Sequence, residues 1–588
     1  MMTNEEVAKI LRNVAAAYTL LNENRFRTIA YEKASDTIFH SNIEIEDLWK
    51  EGKLSDLPGI GSTMVSHLDE LFRTGHVKHF EQVFSKVPKS IFPLLDVSGF
   101  GPKKAYRLVT ELKLNSPDSV IDDLFDAAKS GKIAPIEGFG EKSQTVIFEA
   151  LERFKKGRIK GKRVPLSIAS NIALELILYL KQYKDTIEVY TLGSLRRMAP
   201  TTGDIDLAAK TNNPEGVLEW LLKYPKRASI VEKGPRGATI LLRNGIQVDL
   251  RVQSPKSFGA MLQYFTGSKN HNIKLREFAL KQDLSLSEYG IKSLNSKLKI
   301  YEFEKEEEFY KALGLQWIPP EMREDTGEIE ASNNNKLPQL VKLGDIRGDF
   351  HIHSNYNLEP SHDLGSSSLE EILSQAEKLK YEYIGISDHN PSYSKHNKNK
   401  IVTILKRRKS TFEHIMSSTK SVRVNLFTML ETDILPDGRL PLPDVAFDYL
   451  DATIVSIHSS FNMDKRKMTE RIISGLSHPK AKILAHPTGR LIGRREGYDV
   501  DWEKLFNFCK EKDKAIEINA YPDRLDLPDV LIREAIKKGI KLVIGTDSHQ
   551  LSQMELMVYG VSQARRGWAT KHDIINTLPY NMIRKWLL

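Results

Sequence analysis

The chain contains very little cysteine and no long apolar run. Its 588 residues include one cysteine, Cys509, and a single thiol cannot form an internal disulfide. A disulfide-stapled secreted scaffold is therefore excluded. No stretch of ~18 uncharged apolar residues occurs, so we expect no membrane span. The N-terminus lacks the basic start and small-residue cleavage site of a signal peptide. These absences predict a cytoplasmic protein without a membrane partner.

The remaining composition is that of a globular protein with several domains. Hydrophobic residues make up 40% and charged residues 28% of the chain, which excludes disorder over most of its length. The net charge of +9 permits a nucleic-acid partner without requiring one. Histidine is unevenly distributed: 11 of the 16 histidines follow Asp345. We therefore expect the two parts of the chain to carry different chemistry.

The first 160 residues are expected to be all-helical, because Val7–Leu21 and Ile38–Leu48 have apolar spacing typical of helices. Three similar glycine turns occur in this part of the chain. The turns recur at roughly 40-residue intervals. Their glycines allow a tight turn, after which a helix N-terminus presents free N–H groups to an anion. A single copy is more simply a helix connection, but three copies favour repeated phosphate contact. The turns contain Gly59 and Gly61, Gly99 and Gly101 (followed by Lys103), and Gly138 and Gly140.

A group of carboxylates marks the middle of the chain, where strand-like runs (Ile187–Leu192, Ala238–Leu242, Ile246–Val252) alternate with helices. Asp204 and Asp206 alternate on an expected strand, so both should point to one face. Asp249, on another strand-like run, is a candidate third ligand for Mg²⁺. Together with a Gly-Ser turn and Arg197, these acids are typical of two-metal phosphoryl or nucleotidyl transfer. The alternative is a solvated acidic strand end.

Histidines and carboxylates mark the last part of the chain. His351 and His353 alternate on one strand, and the other candidates follow successive strand-like runs (Tyr383–Ser387, Ala452–Ile457, Ile483–Ala485, Ala515–Ile518, Leu542–Ile544). In a parallel barrel such positions converge on one face. Mixed imidazole and carboxylate ligands suit Zn²⁺, Mn²⁺ or Fe²⁺ and phosphoester hydrolysis. The further candidates are His389, Glu431, His458, His486, Asp547 and His549.

Residues 1–330 resemble a family X DNA polymerase, on the segments Gly193–Leu207, Asp249 and Tyr264–Ser268. The resemblance implies that Asp204, Asp206 and Asp249 are catalytic and hold Mg²⁺ or Mn²⁺. It also implies helix-hairpin-helix contacts with DNA at the glycine turns, where a monovalent cation is a further candidate ligand. The implied nucleotide-binding residues are Gly193, Ser194, Arg197, Gly203, Tyr264, Phe265, Gly267, Asn272 and Arg276. From the residues alone, Tyr264 and Phe265 would be interpreted as core aromatics.

Residues 346–575 resemble a PHP (polymerase and histidinol phosphatase) domain. The resemblance implies a distorted seven-stranded β/α barrel with up to three Mn²⁺, Zn²⁺ or Fe²⁺ ions. The residues that match the motif are His351, His353, His389, Glu431, His458, His486, Asp547 and His549. The family's Ser-Asp-Gly segment is absent, so Asp363 is the leading candidate for the ninth ligand, with Glu359 and His362 as alternatives.

The order of the two resemblances is that of the bacterial and archaeal family X type, PolX. It implies a polymerase that fills short gaps in repair, joined to a 3′–5′ exonuclease, with AP-endonuclease or 3′-end phosphoesterase activity as a further candidate activity. The expected partners are gapped or primer-template DNA and dNTPs, and the expected state is a monomer. The expected domains are an N-terminal helical domain (1–85), a fingers-like helical domain (86–160), an α/β nucleotidyltransferase palm (161–258), a thumb (259–330), a linker (331–345) and the PHP domain (346–588).

Two alternatives and two local departures accompany this prediction. The barrel could instead be structural or remove pyrophosphate, or both centres could be idle in a DNA-binding scaffold. The lysine that forms a Schiff base in polymerase beta falls, by counting, on His67, which argues against lyase activity, although Lys33 lies in the same region. A basic stretch could guide a DNA strand, although a solvated helix face is the simpler interpretation. It contains Lys395, Lys398, Lys400, Arg407 and Arg408.

Overall fold

The computed structural model of the chain describes all but a few short stretches and divides into two compact units. Outside the description are Met1, Thr3, 40–44, Glu51, 57–59, Ser98, 156–162, 296–299 and 420–422. The first unit comprises Met1–Lys162, Leu222–Lys233 and Ala238–Val248, and the second comprises Arg163–Leu221, Gly234–Gly237 and Asp249–Leu588. Within the described residues, no helix combines the length and apolar character needed to cross a membrane.

The elements described in residues 1–155 are helices, as the apolar spacing predicts. The predicted helix Val7–Leu21 corresponds to α1, whereas the pattern in Ile38–Leu48 is shared between the end of α2 and the start of α3. The helices are α1 (Asn4–Leu20), α2 (Arg25–Phe39), α3 (Ile45–Lys50), α4 (Ser62–Thr74), α5 (Lys78–Phe84), α6 (Ile91–Leu94), α7 (Pro102–Glu111), α8 (Val120–Lys129) and α9 (Glu141–Lys155).

Glycines set the ends of several of these helices. Helix α4 ends at Gly75, whose φ of 79° lets its N–H return to the carbonyl of Leu71 at 2.8 Å. Helices α4 and α7 begin directly after Gly61 and Gly101, both in extended backbone. The glycine turns therefore lie at helix N-termini, as the sequence predicts.

The middle of the chain alternates strands and helices. Strands β2, β6 and β7 correspond to the three predicted strand-like runs. The elements are β1 (Val164–Pro165), α10 (Leu166–Leu180), β2 (Thr186–Thr191), α11 (Gly193–Arg196), β3 (Thr201–Thr202), β4 (Ile205–Thr211), α12 (Pro214–Leu222), β5 (Arg227–Gly234), β6 (Gly237–Leu242), β7 (Gln247–Gln253), α13 (Phe258–Thr266), α14 (Lys269–Leu280), β8 (Leu284–Ser287), β9 (Gly290–Ser293), β10 (Ile300–Tyr301), α15 (Glu306–Ala312) and α16 (Glu328–Asn333).

Strands β2, β4 and β7 are consecutive neighbours in one sheet. Strands β2 and β4 are antiparallel, with Thr191 opposite Leu207. On β7, Val248 and Leu250 are buried, while Asp249 between them is half-buried on the opposite face. This alternation places acidic side chains on the open face of the sheet.

The predicted linker 331–345 carries secondary structure in the second unit. Its first residues belong to α16, which ends at Asn333. Leu340 forms an antiparallel bridge with Thr570, and the buried Val341 donates its N–H to the carbonyl of Ala569 at 2.9 Å. The segment is therefore packed against the C-terminal part of the same unit.

Parallel strands alternate with helices from Gly348 onward. Strands β12 and β15–β18 fall on the five predicted runs. The elements are β11 (Gly348–Ile352), α17 (Leu369–Lys378), β12 (Tyr383–Ile386), α18 (Lys398–Ser418), β13 (Asn425–Thr428), β14 (Glu431–Asp433), β15 (Thr453–Ser456), α19 (Lys465–Leu476), β16 (Ala481–Leu484), α20 (Trp502–Glu511), β17 (Ala515–Asn519), α21 (Asp529–Lys538), β18 (Lys541–Gly545), α22 (Met557–Arg566) and α23 (Tyr580–Leu587).

These strands form a closed parallel ladder. One sheet has the order β11-β12-β13 and the other β14-β15-β16-β17-β18. A parallel bridge between His389 and Glu431 joins the two sheets, and another between Ile352 and Ser548 joins the first strand to the segment after the last. The C-terminal ends of the strands therefore share one face, where ligands bind in such folds.

Candidate active sites

The three predicted catalytic aspartates lie together on the sheet of the second unit. Asp204 immediately precedes β4, Asp206 lies on β4 and Asp249 lies on β7. One carboxylate oxygen from each residue lies within 4.8 Å of the other two. Three half-buried oxygen ligands at this spacing fit a hard divalent cation such as Mg²⁺ or Mn²⁺.

The carboxyl group of Asp206 has a strongly raised pKa. Burial, together with the charges of Asp204 and Asp249, raises its pKa to about 7. Gly193 permits the close approach of this carboxylate: a Cβ there would lie 2.2 Å from Asp206 Oδ2, and Gly193 has a φ of +55°. The Gly-Ser turn therefore needs glycine at position 193, because a larger side chain would collide with the carboxylate of Asp206.

The predicted triphosphate-binding residues surround this group. The Ser194 hydroxyl lies 2.7 Å from that of Thr202, and Thr202 donates to the carbonyl of Asp204, also at 2.7 Å. Arg197 donates from Nε to Glu324 at 3.0 Å and from Nη1 to the carbonyl of Thr266 at 2.6 Å. Gly203 lies in the bend before Asp204.

The predicted nucleotide-contacting residues form one connected segment across α13 and α14. The rings of Tyr264 and Phe265 pack edge to face at 5.0 Å, just before Gly267. Asn272 donates to the carbonyl of Tyr264 at 2.7 Å, and Arg276 donates to the carbonyl of Asn272 at 3.1 Å. Both aromatic residues are partly exposed, and Phe265 packs against a small buried cluster that includes Phe258 and Met261.

The glycine turns have the predicted geometry wherever they are described. Gly99 and Gly138 adopt φ values of 85° and 83°, and Gly101 and Gly140 each directly precede a helix. Gly61 directly precedes α4, whereas Gly59 lies outside the described residues. The side chain of Lys103, on the first turn of α7, is exposed. Two of these helix N-termini therefore follow a left-handed glycine, an arrangement suited to phosphate contact.

His67 belongs to a cluster of aromatic rings. Its Nδ1 lies 2.7 Å from the hydroxyl of Tyr31, and its ring stacks on that of His79 at 5.2 Å. Burial and the neighbouring His79 lower its pKa. These contacts give the imidazole a packing role.

The histidine cluster lies at the C-terminal ends of the parallel strands, around Glu431. This buried carboxylate lies 2.9–3.6 Å from five imidazole rings. Burial acts to raise its pKa, but the charges of His389 and His458 outweigh burial and hold the pKa well below its usual range. Asp547 lies 3.4 Å from both His351 and His353. The five rings belong to His351, His353, His389, His458 and His486.

Several buried nitrogens of this cluster point at it without a hydrogen-bond partner among the described residues. They are His351 Nε2, His353 Nε2, His389 Nδ1 and His549 Nε2. Buried polar atoms are normally satisfied. Ligand atoms of the cluster fall into four overlapping sets, each within 4.8 Å. Unpartnered imidazole nitrogens beside shared carboxylates fit more than one transition-metal ion.

Asp363, the leading candidate for the ninth ligand, and His362, one of the two alternatives, take different positions. His362 forms one of the sets with His389 and His458. Asp363 lies at the rim, 62% exposed, with its oxygens 3.6 Å from His389 and 3.8 Å from His549. Glu359, the other alternative, instead contacts His396 at 3.0 Å. The spacing therefore leaves His362 and Asp363 both within reach of an ion.

Two carboxylates that the sequence interpretation did not select orient the histidines. Glu517 on β17 accepts from His351 Nδ1 and from the backbone N–H of His486, both at 2.6 Å. Asp433 on β14 lies 2.7 Å from His458 Nδ1 and 3.0 Å from His362 Nε2. Such partners fix the tautomer and the direction of a metal-binding imidazole. Asp433 is the last residue of β14, whereas Glu517 lies in the middle of β17, so only Asp433 had a strand-end position as a sequence signal.

The side chains of the predicted basic stretch do not form one exposed basic surface. Arg408 is fully buried and pairs with Asp388 at 2.7 Å, so the suggestion that it guides a strand is wrong. Lys398, Lys400 and Arg407 are on α18, with the two lysines exposed. Arg408 instead anchors α18 to the end of β12.

Comparisons with known proteins cover the whole chain. Residues 2–77 match the family described as helix-hairpin-helix domain, and residues 261–324 match the DNA polymerase beta thumb. The chain is 33% identical over 577 residues to the DNA polymerase/3′-5′ exonuclease PolX of Bacillus subtilis, covering 98% of this chain and 97% of that protein.

More distant relatives match parts of the chain. DNA polymerase lambda of Rattus norvegicus is 21% identical over 353 residues, covering 55% of this chain and 56% of that protein. A probable phosphatase of Clostridium acetobutylicum is 26% identical over 199 residues, covering 31% of this chain and 72% of that protein. The phosphatase similarity falls on the C-terminal part, which contains the histidine cluster.

Proposed function

The chain belongs to the PolX family of DNA polymerases with 3′-5′ exonuclease activity, and from this membership we propose that it extends DNA primers at the aspartate group and shortens DNA 3′ ends at the histidine cluster. The observation that carries the proposal is the presence of two separate sets of metal-compatible ligands, each complete in one chain. The substrates are gapped or primer-template DNA and dNTPs, and the setting is short-gap repair by a cytoplasmic monomer.

The polymerase reaction is built on the aspartate group. Asp204 and Asp206 would hold two Mg²⁺ or Mn²⁺ ions, and Asp249 would also bind one of these ions. The two ions would neutralise charge on the triphosphate and favour the 3′-hydroxyl as a nucleophile. Ser194, Gly203 and Arg197 bind the triphosphate. Tyr264 and Phe265 support the nucleotide sugar, and Asn272 and Arg276 contact the nascent pair. Gly193 and Gly267 let the backbone approach closely.

The DNA backbone is held by the helix-hairpin-helix turns. Gly61, Gly99, Gly101, Gly138 and Gly140, with Lys103 and by extension Gly59, contact phosphates, with a monovalent cation at the turns. These contacts would not depend on base sequence, and their affinity would fall as salt rises.

The closed parallel ladder is a distorted PHP barrel. Its ligand set would hold Mn²⁺, Zn²⁺ or Fe²⁺, up to three ions, which would supply a hydroxide nucleophile for phosphoester hydrolysis. Glu517 and Asp433 orient His351 and His458. The similarity to phosphatases favours hydrolysis over a purely structural barrel. The ligands are His351, His353, Asp363 or His362, His389, Glu431, His458, His486, Asp547 and His549.

Paired substitutions test both assignments. Asp249→Ala should lower primer extension on gapped DNA at least ~100-fold and spare 3′ shortening, since even outer partners of metal ligands contribute ~10–100-fold. His351→Ala should do the reverse. The assay follows labelled gapped DNA with Mg²⁺ or Mn²⁺, with and without dNTPs.

His572→Ala, which changes an exposed histidine of the same unit, is the control and should retain both activities. Wild-type protein that fails to shorten 3′ ends with Mn²⁺ would favour the structural or pyrophosphate-removing barrel. If neither substitution altered either activity, both site assignments would be wrong.

A further inference from the structure

Arg566, at the C-terminal end of α22 in the parallel ladder, reaches the segment that carries the triphosphate-binding arginine. We propose that Arg566 is a positioning residue for nucleotide binding, which acts through Glu324 to leave Arg197 available to the incoming triphosphate. The proposal rests on the proposed function, because the role of Arg197 is itself part of that function. It assigns the C-terminal module a direct part in the polymerase reaction.

Arg566 is held among three different parts of the second unit. Its side chain is 7% exposed, and its Nη1 donates to the carbonyl of Arg197 and to Glu324 Oε1, both at 2.9 Å. Its Nη2 donates to Asp529 on α21 at 2.6 Å. A buried guanidinium with partners at both ends has little freedom to leave this position.

Glu324 is shared between two guanidinium groups. Its Oε1 accepts from Arg197 Nε at 3.0 Å and from Arg566 Nη1 at 2.9 Å. The guanidinium of Arg197 therefore donates to two acceptors, the carboxylate of Glu324 and the carbonyl of Thr266. A triphosphate that binds Arg197 must compete with Glu324.

The second guanidinium reduces that competition. Without Arg566, the negative charge of Glu324 would be balanced by Arg197 alone, and a partly buried ion pair strengthens when its compensating neighbour is removed. The carbonyl of Arg197 would also lose its donor, so the backbone of the phosphate-binding turn would be less fixed. Both effects weaken nucleotide binding without touching the aspartates.

Arg565 provides a matched control on the same helix end. It donates to Glu321 at 2.7 Å and to the carbonyl of Val341 at 3.1 Å. These contacts anchor the ladder to the same neighbouring segment without reaching Glu324 or Arg197. Loss of Arg565 should therefore weaken packing at this place and leave the triphosphate site unchanged.

The first test compares steady-state filling of a one-nucleotide gap by the full chain. Arg566→Ala should raise the KM for dNTP about tenfold, the scale of one charge-assisted contact, with kcat little changed. Arg565→Ala should leave the KM within about twofold of wild type. Asp529→Asn, which retains both arginines, should raise the KM by a smaller factor and keeps the test valid if Arg566→Ala does not fold. Shortening of single-stranded 3′ ends should be unchanged in all three.

The second test identifies the route. In a Glu324→Gln background, which lacks the competing charge, Arg566→Ala should raise the KM by a clearly smaller factor than in the wild-type background, because coupled residues give non-additive effects. The remaining increase would come from the lost donor to the carbonyl of Arg197. An undiminished effect would overturn the proposal. So would equal KM values for Arg566→Ala and Arg565→Ala, or a proportional loss of both activities. Wild-type protein that fails to extend primers at all would instead overturn the proposed function.

Discussion

At the scale of single residues, Asp206 shows how the aspartate group depends on a cation. It lies between Asp204 and Asp249 and against Gly193, and its pKa is raised to about 7 by burial and by these two carboxylates. A carboxyl whose pKa is higher in the folded than in the unfolded chain loses stabilising free energy as pH rises towards the folded value. A bound cation reverses this loss, since it binds the deprotonated form.

We therefore expect magnesium binding at the aspartate group to strengthen with pH. The Mg²⁺ concentration for half-maximal primer extension should fall about tenfold between pH 6 and pH 8, as a group with a pKa near 7 loses its proton. Added Mg²⁺ should also raise the melting temperature more at pH 8 than at pH 6. A requirement for Mg²⁺ that does not change over this range would contradict the prediction, and Asp206→Asn, which is expected to abolish primer extension, should remove the pH dependence of the melting-temperature increase.

Much of the aspartate group was predictable because strand alternation fixes which side chains share a face. Asp206 and Asp249 follow this rule directly. The roles of Glu517 and Asp433 were not predictable, because they depend on the direction of an imidazole ring rather than on spacing. Arg408 was misjudged for a related reason: a basic run does not reveal which member of the run pairs with a buried acid.

At the scale of elements, a buried ion network joins α11, α15 and the segment before α16. Glu306, at the start of α15, accepts from Arg196 at 2.9 Å and from Arg323 at 2.6 Å, and Trp317 donates to it at 3.0 Å. Burial acts to raise the pKa of Glu306, but the two guanidiniums outweigh it and lower the pKa to about 2. The network fixes the position of α11, which carries the Gly-Ser turn.

Glu306→Ala should destabilise the chain by ~3–5 kcal/mol, because the fully buried Arg323 would lose its carboxylate. Urea denaturation should show the loss at pH 7. Since the folded pKa lies below the usual value of 4.5, the contribution of this carboxylate is complete above that value and is lost as pH falls towards 2. The difference between wild type and variant should shrink accordingly.

The control is Glu307→Ala, which removes an exposed carboxylate from the next position of the same helix. It should change the free energy of unfolding by less than ~0.5 kcal/mol. Equal losses for the two variants would show that the network does not stabilise the chain.

The elements themselves were predictable where one periodicity ran without interruption. Strands β12 and β15–β18 follow from short apolar runs, and α1 follows from helical spacing. The helical pattern in Ile38–Leu48 failed because apolar spacing alone does not show where one helix ends and the next begins. The polar run from Ala331 predicted an irregular linker, yet it begins within α16, since a one-turn helix needs no apolar periodicity.

At the scale of the whole molecule, the histidine cluster links distant parts of the chain through shared ligands. Its imidazoles and carboxylates come from strand ends between His351 and His549, and Glu431 lies beside five of the rings. A ligand that binds only the folded chain stabilises it by mass action. Metal loading should therefore stabilise the ladder as a unit.

After chelator treatment, Mn²⁺ or Zn²⁺ at about 100 times its Kd should stabilise the chain by ~2.7 kcal/mol. The measurement is the melting temperature, made in an Asp249→Ala background so that the aspartate group does not contribute. His351→Ala should remove most of the increase, and the exposed His572→Ala should retain it. A melting temperature that does not respond to either metal would contradict a metal-binding cluster.

The bridge between Ile352 and Ser548 sets an order of events during synthesis. Domains generally fold from the N-terminus as the chain emerges from the ribosome. Because the first strand of the ladder pairs with Ser548, the histidine cluster cannot assemble until synthesis has passed that residue. Arg566 lies later still, so the contact that holds the backbone of Arg197 is also among the last to form. The proposed nucleotide site, whose aspartates are synthesised much earlier, thus gains this contact only after α22 has been made, and a nascent chain that stops before Ser548 would carry neither finished centre.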